Sequence, residues 1–193
     1  MHVKQFLLSM MMMTLMVSCT QGQQQSSKKE GEKKILVVYY SWSEGKNTET
    51  VARFIQKNTG GDIFEIIPVN DYPDDYQACV DQAKKEINEG FKPALKTKVE
   101  NIESYDIIFI GTPNWWSTMA PPVATFLSEH NLKGKTVIPF CTHGGGREAR
   151  CFTDMAKLCP ESTMIENGLV ISGDRAKAAQ SEVEKWLKLV IND

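Results

Sequence analysis

The sequence predicts an α/β domain: a doubly wound five-stranded parallel sheet layered between helices. Three observations predict it. Apolar runs of strand length alternate with segments of helical period, the pattern left by parallel strands joined through crossover helices. The runs at 35–38 and 107–110 are apolar at every position, as strands covered on both faces must be. Polar turns rich in hydroxyl, amide and glycine residues follow the carboxyl ends of three runs, where open parallel sheets bind ligands.

The chain opens on a different kind of segment. Lys4 supplies a positive start, residues 6–17 are apolar and rich in Met, and Ser18-Cys19 follows at once. Residues 1–18 therefore read as an export signal, too short for a confident membrane-spanning helix. The ending Leu15-Met16-Val17-Ser18-Cys19 resembles a bacterial lipobox, with Met16 where Leu is usual. That resemblance implies cleavage before Cys19, lipid on Cys19 and an anchor in a membrane of the cell envelope. Residues 19–33 carry almost no apolar side chain and read as a disordered tether. The competing readings are an ordinary cleaved signal and a cytoplasmic protein with a chance apolar start, of which the tether argues against the second.

The folded domain is expected over 34–193. Strands are expected at 34–40, 62–67, 105–111, 135–141 and 164–171. Val51, Phe54 and Ile55 mark the first helix, which Gly60-Gly61 stops; Tyr76, Val80, Ala83 and Ile87 mark the second. Val123, Phe126 and Leu127 mark the third, and Phe152, Met155 and Cys159 the fourth. The last opens after Gly173, with Asp174 as the expected N-cap and Ala176, Ala179, Val183, Trp186 and Val190 along its apolar face.

The most informative turn is Tyr39-Tyr40-Ser41-Trp42-Ser43-Glu44-Gly45-Lys46-Asn47-Thr48. Free N–H groups and the helix dipole attract an anion there, and the Ser, Thr and Asn side chains add donors without adding charge. A phosphate monoester at the end of a larger cofactor would fit. Read alone, the same segment is an ordinary polar turn with Asn47 or Thr48 as N-cap. The second turn, Thr112-Pro113-Asn114-Trp115-Trp116-Ser117, exposes two tryptophans unless a flat ring, the sheet edge or a partner covers them. The third, Thr142-His143-Gly144-Gly145-Gly146-Arg147, lets backbone approach a ligand edge closely, or is a flexible turn. His143 has no partner at metal-ligand spacing and reads as a satisfied or solvated histidine.

Together these turns resemble a known family. From about residue 34 to 191 the chain resembles flavodoxins, most closely the flavodoxin-like FMN proteins with Tyr/Phe-Ser-x-Ser/Thr-Gly-Asn-Thr at the phosphate, Pro-x-Trp-Trp/Tyr beside the flavin, and Thr-x-Gly-Gly in the next loop. The matching positions are Tyr40, Ser41, Ser43, Asn47 and Thr48, then Pro113, Trp115 and Trp116, then Thr142, Gly144 and Gly145. The resemblance implies strand order 2-1-3-4-5 in three layers, α/β/α. It also implies FMN as cofactor, with Ser41, Ser43, Asn47 and Thr48 on the phosphate. Pro113, Asn114, Trp115, Trp116, Thr142, Gly144, Gly145 and Gly146 would then line the isoalloxazine. The run 72–76 also looks like the second loop of that subgroup, and the uninterrupted fifth strand like its short-chain branch. One departure stands out. Glu44, Gly45 and Lys46 occupy the place of a single Gly, so Glu44 must face water while Lys46 is free to pair with the phosphate.

Charge and cysteine content bound the partners. The whole chain carries −2, and −3 without residues 1–18, with no basic face for nucleic acid. Cys151 and Cys159 stand about 12 Å apart along one helix, too far to pair. With Cys79 and Cys141 they read as buried thiols, a disulfide staying open in an oxidising compartment. No catalytic acid, base or nucleophile is assigned, because FMN would carry the chemistry. The reading is a membrane-tethered FMN redox protein that exchanges electrons with a quinone or a redox partner protein. Two alternatives stay open: an NAD(P)H-dependent FMN quinone or small-molecule reductase, and a lipoprotein that kept the fold but lost the flavin and acts as a binding module.

Overall fold

A computed structural model describes residues 33–191. The segment 1–18, Cys19 and the tether up to residue 32 lie outside the described residues. The first strand, β1 (Ile35–Tyr39), leads into α1 (Asn47–Thr59) and β2 (Asp62–Glu65). Then come α2 (Tyr76–Glu89), β3 (Ile107–Trp115), the two-residue β4 (Thr118–Met119) and α3 (Pro121–Glu129). After β5 (Thr136–His143) and α4 (Cys151–Leu158), the chain ends in β6 (Thr163–Met164), β7 (Leu169–Ser172) and α5 (Gln180–Val190).

Parallel pairing orders the sheet β2-β1-β3-β5, with β6 and β7 both lying along β5. This is the expected 2-1-3-4-5 order with two additions. The strand expected at 105–111 runs on to Trp115 and folds back through β4, which pairs antiparallel with it. The run expected as one uninterrupted fifth strand is split. Met164 pairs with Val137 and Leu169 with Phe140, so the edge chain takes five steps where β5 takes three. The break faces Pro139, which has no N–H to give to a ladder. It is pinned from behind by the Trp186 indole N–H, which donates to the Asn167 carbonyl at 2.7 Å.

Strand alternation divides the core between the two faces of the sheet. Leu36, Val38, Ile108 and Ile110 pack with Val123, Phe126, Leu127 and Met155, beneath α2, α3 and α4. Val37, Tyr39, Ile107, Phe109 and Phe140 pack with Val51, Ile55, Val183, Trp186 and Leu187, beneath α1 and α5. Every one of these side chains except Trp186 is at most 7 % exposed, which makes apolar burial the main stabilising term.

Helix ends follow local chemistry in most places. Asp75 caps α2 by accepting from the Ala78 N–H at 2.8 Å, and Pro121-Pro122 begin α3, where missing N–H groups cost nothing. The last helix departs from expectation. Asp174 opens a 3-10 turn over Gly173–Ala178, and α5 starts only after Ala179, with no side-chain cap bond. The Asp174 carboxylate instead accepts from the Ser172 hydroxyl.

Gly111 sits opposite Phe140 in the β3–β5 register, and a Cβ there would lie 2.1 Å from the Phe140 ring. Phe140 is fully buried, so it has no free space to yield. Gly111→Ala is therefore expected to destabilise the domain by about 1–3 kcal/mol, read as a lower urea midpoint with an unchanged m-value.

Candidate functional site

Parallel polarity brings the carboxyl ends of β1, β3, β5 and β7 to one edge, where their loops enclose a cavity of about 740 Å³. Its two ends differ in chemistry.

One end is polar and built around the start of α1. The inserted residues close a turn in which the Lys46 N–H donates to the Ser43 carbonyl at 2.8 Å. Lys46 then takes a left-handed conformation, φ 47°, and becomes the N-cap in place of Asn47 or Thr48. Glu44 and Lys46 are both exposed, so the two extra residues swing outward. No side chain caps α1, which leaves the N–H groups of its first turn free at the cavity wall formed by Asn47 and Thr48. The Thr48 and Thr142 hydroxyls meet at 2.7 Å and lock the first loop to the third. In the same first loop, the Ser41 hydroxyl is buried without a hydrogen-bond partner. A buried hydroxyl with free helix N–H groups nearby is a donor set lacking its acceptor.

The other end is aromatic. Trp115 stands edge-on to Tyr72, Tyr40 and Trp42, with ring centroids 5.0, 5.6 and 6.2 Å away. Trp42 is fixed by its indole N–H, which donates to the Pro73 carbonyl at 3.1 Å. Trp116 is 46 % exposed, donates from its indole to the Val80 carbonyl at 3.0 Å, and carries the Lys84 ammonium 4.7 Å from its ring centroid. Behind this wall the Tyr72 hydroxyl donates to the buried Glu86 carboxylate. Burial, reinforced by Glu86, pushes the Tyr72 phenol far up, and burial does the same to Tyr40. Burial first and then Glu86 push the Cys79 thiol up to about 11. All three therefore stay protonated at neutral pH and supply no acid, base or nucleophile there.

Hydrogen bonds tie the loops together. Trp116 and Ser117 are the central residues of the β3–β4 hairpin, and both have positive φ, 51° and 68°. That geometry matches strand twist but normally selects Asn-Gly. Asn114 donates to the Arg147 carbonyl at 2.6 Å, and the Arg150 N–H donates to the Ser117 carbonyl at 3.0 Å. Thr118 donates to Asp154 at 2.7 Å, joining the hairpin to α4. Burial pushes the Asp154 carboxyl up, but hydrogen bonds from Lys157 and Thr118, with the Lys157 and Arg150 charges, outweigh it and hold the group below the ordinary carboxylate range.

Of the positions singled out in the sequence, Ser43, Asn47, Thr48, Pro113, Asn114, Trp115, Trp116, Thr142 and Gly144 line the cavity. Ser41, which is buried, and Gly145 and Gly146 stand outside the wall. The Gly146 backbone lies against Asn114 rather than against the cavity. His143 also faces the cavity, its Nδ1 accepting from the Gly145 N–H at 3.0 Å.

Sequence reasoning missed two groups. Trp42, Tyr76, Cys79, Val80 and Ala83 join the aromatic end, and Ser172, Gly173 and Asp174 the polar end. The second group was findable, because it follows the carboxyl end of the last strand. In the first, Trp42 stood in the first turn itself, while the α2 residues were hidden in a helical stripe that reads as core, although Tyr76 is 70 % exposed.

A parallel sheet whose strand ends gather an anion cradle and an aromatic recess defines a phosphate-bearing cofactor protein of the doubly wound class. The chain belongs to the flavodoxin family, whose model matches residues 34–190. Among solved structures it is similar to a candidate flavoprotein of Bacteroides eggerthii, with 31 % identity and TM-score 0.71 over 82 % of this chain and 98 % of that one. A candidate flavoprotein of Bacteroides uniformis is similar at 28 % identity and TM-score 0.71, over 81 % and 98 % of the two chains. A flavoprotein of Lactobacillus acidophilus, solved in complex with FMN, is similar at 28 % identity and TM-score 0.62, over 80 % and 98 %. No curated protein matches the chain.

Two outcomes follow for the hairpin and its brace. Ser117→Gly relieves a left-handed strain that glycine does not feel, so stability should rise by about 0.5–1 kcal/mol, read as a higher urea midpoint with an unchanged m-value. Asp154→Asn should cost about 0.5–1.5 kcal/mol at pH 7. Because the folded carboxyl lies below its unfolded value of about 4, its contribution is present above that pH and lost as pH falls through the folded value. Chemical denaturation across pH 2–7 should show the gap between parent and variant closing at the acid end.

Proposed function

We propose that the protein holds FMN non-covalently in this cavity and works as a redox carrier at the surface of an envelope membrane. The observation that carries the reading is the unpartnered Ser41 hydroxyl in the loop that leads into the uncapped start of α1. A dianionic phosphate monoester supplies the missing acceptor for both, and the dipole of the 13-residue helix favours it there. Ser43, Asn47 and Thr48 would complete the phosphate set. Thr142 would orient Thr48, and the exposed Lys46 would add a positive charge at the rim. The aromatic end suits a flat heteroaromatic ring, with Trp42, Trp115 and Trp116 excluding water and the backbone of 113–116 and Gly144 offering polar groups to its edge.

Bound FMN supplies the electron chemistry, and the chain supplies binding, orientation and electrostatics. The neutral, fully protonated Tyr40, Tyr72 and Cys79 keep that end of the cavity free of competing proton donors of low pKa. The leader of residues 1–18, the Cys19 position and the polar tether support export and lipid anchoring. Outside the cytoplasm nicotinamide cofactors are scarce, which favours a quinone or a redox protein as partner.

Titration of FMN into the purified protein should quench flavin fluorescence to a one-to-one end point and leave a yellow protein. Ser41→Ala should weaken FMN about ten-fold or more while leaving riboflavin, which has no phosphate, nearly unaffected. Trp115→Ala should weaken both. Equal affinity of the parent for riboflavin and FMN would refute the phosphate site, and failure to bind either would favour a binding module without flavin. Rapid oxidation of NADH or NADPH with a quinone present would identify a reductase instead.

A further inference from the structure

The third loop is strained and closed at its base by two sulfurs. Arg147 and Ala149, neither of them glycine, adopt φ of 52° and 44°. Such residues persist only where the surroundings hold them. Cys141, near the end of β5, and Cys151, the first residue of α4, bracket residues 142–150. Their sulfurs stand 3.8 Å apart, with the Cys141 thiol directed at Cys151, and the two residues are 1 % and 0 % exposed. The other two buried thiols lie elsewhere: Cys79 on α2 beside the aromatic end, and Cys159 with its thiol on the Met155 carbonyl. Four scattered core cysteines would be unremarkable. Two that face each other across the neck of a strained loop at the cavity call for a different account.

We propose that Cys141 and Cys151 form a disulfide that clamps the ends of the cavity-bordering loop. The sulfurs must approach by about 1.8 Å to reach bonding distance. The first residue of α4 is the mobile partner, because β5 is fixed by β3 on one side and β7 on the other. Hydrogen bonding to Cys151, followed by burial, pushes the Cys141 thiol far up, so the closed domain resists oxidation. The bond therefore forms during folding. The oxidant is a second disulfide, either a small molecule such as oxidised glutathione or an exposed protein disulfide. One cysteine thiolate attacks it, releasing one thiol and leaving a mixed disulfide; the second cysteine then displaces the other thiol. Two electrons and two protons pass to the oxidant, and one S–S bond joins 141 to 151.

The full chain, unfolded and then refolded in a mixture of oxidised and reduced glutathione, should yield a single intramolecular link on peptide mapping, between Cys141 and Cys151. Cys79 and Cys159 should remain alkylatable. Thermal unfolding should occur about 5–10 °C higher than in the same sample refolded in reductant. The variant carrying Cys79→Ser and Cys159→Ser should retain the link and the shift, whereas Cys141→Ser should show neither. The proposal falls if no link forms, if it joins other cysteines, or if the linked protein melts no higher than the reduced one. None of these readouts depends on whether FMN binds.

Discussion

Everything at the site depends on strand polarity. Because β1, β3, β5 and β7 run parallel, each delivers its following loop to the same edge, and no loop can leave that edge without reversing a strand. The price of polarity is a sheet covered on both faces, and the sequence meets it with strands apolar at every central position. The tight β3–β5 seam shows how little slack this leaves. Gly111 exists so that the Phe140 ring can lie across the neighbouring strand, which keeps Pro113 and Thr142 in register at the cavity. Packing deep in the sheet thus sets the spacing between the second loop and the third.

The polar end gathers its donors without a buried cation. A fixed ammonium beneath the cavity would carry a heavy desolvation cost whenever the site stood open. Dipolar donors avoid that: the start of α1, the Ser41 hydroxyl and the paired Thr48 and Thr142 hydroxyls. The insertion of Glu44, Gly45 and Lys46 serves the same end. Its turn places Lys46, a poor capping side chain, at the N-cap, and so leaves the first N–H groups of α1 uncapped. Had Asn47 taken the cap position, its side chain would have competed for those donors. It lies instead against Gly173, where a Cβ would come within 2.6 Å of its Nδ2.

The sequence announced what depends on composition and order, and concealed what depends on side-chain direction. Apolar strands, helical stripes and the three polar loops were visible because each is a local pattern. The contribution of α2 was not. Tyr76, Val80 and Ala83 share one face by helical period, and only the crossing of the β3–β4 hairpin decides that this face borders a cavity rather than solid core. The hairpin itself was concealed for a related reason. A two-residue turn of this type ordinarily shows Asn-Gly, and Trp116-Ser117 carries none of that signal. The split of the last strand was likewise concealed, because it is set by Pro139 on the neighbouring strand.

The exceptions to local rules cluster, and their distribution is informative in itself. Among the described residues, the non-glycine positions with positive φ are Lys46, Trp116, Ser117, Arg147 and Ala149. Every one lies in a loop around the cavity; none is in the β2 or β6 edge, the α3 turn or the carboxyl-terminal helix. Random imperfection would scatter them among exposed turns, where they are cheapest. Backbone strain of about 1–3 kcal/mol per residue persists only where surrounding contacts over-determine it, and such places are characteristically binding sites. The strained residues thus mark the same edge that strand polarity selects and whose first loop holds the unpartnered Ser41 hydroxyl. Three independent kinds of observation, topological, conformational and hydrogen-bonding, converge on one cavity without recourse to any motif.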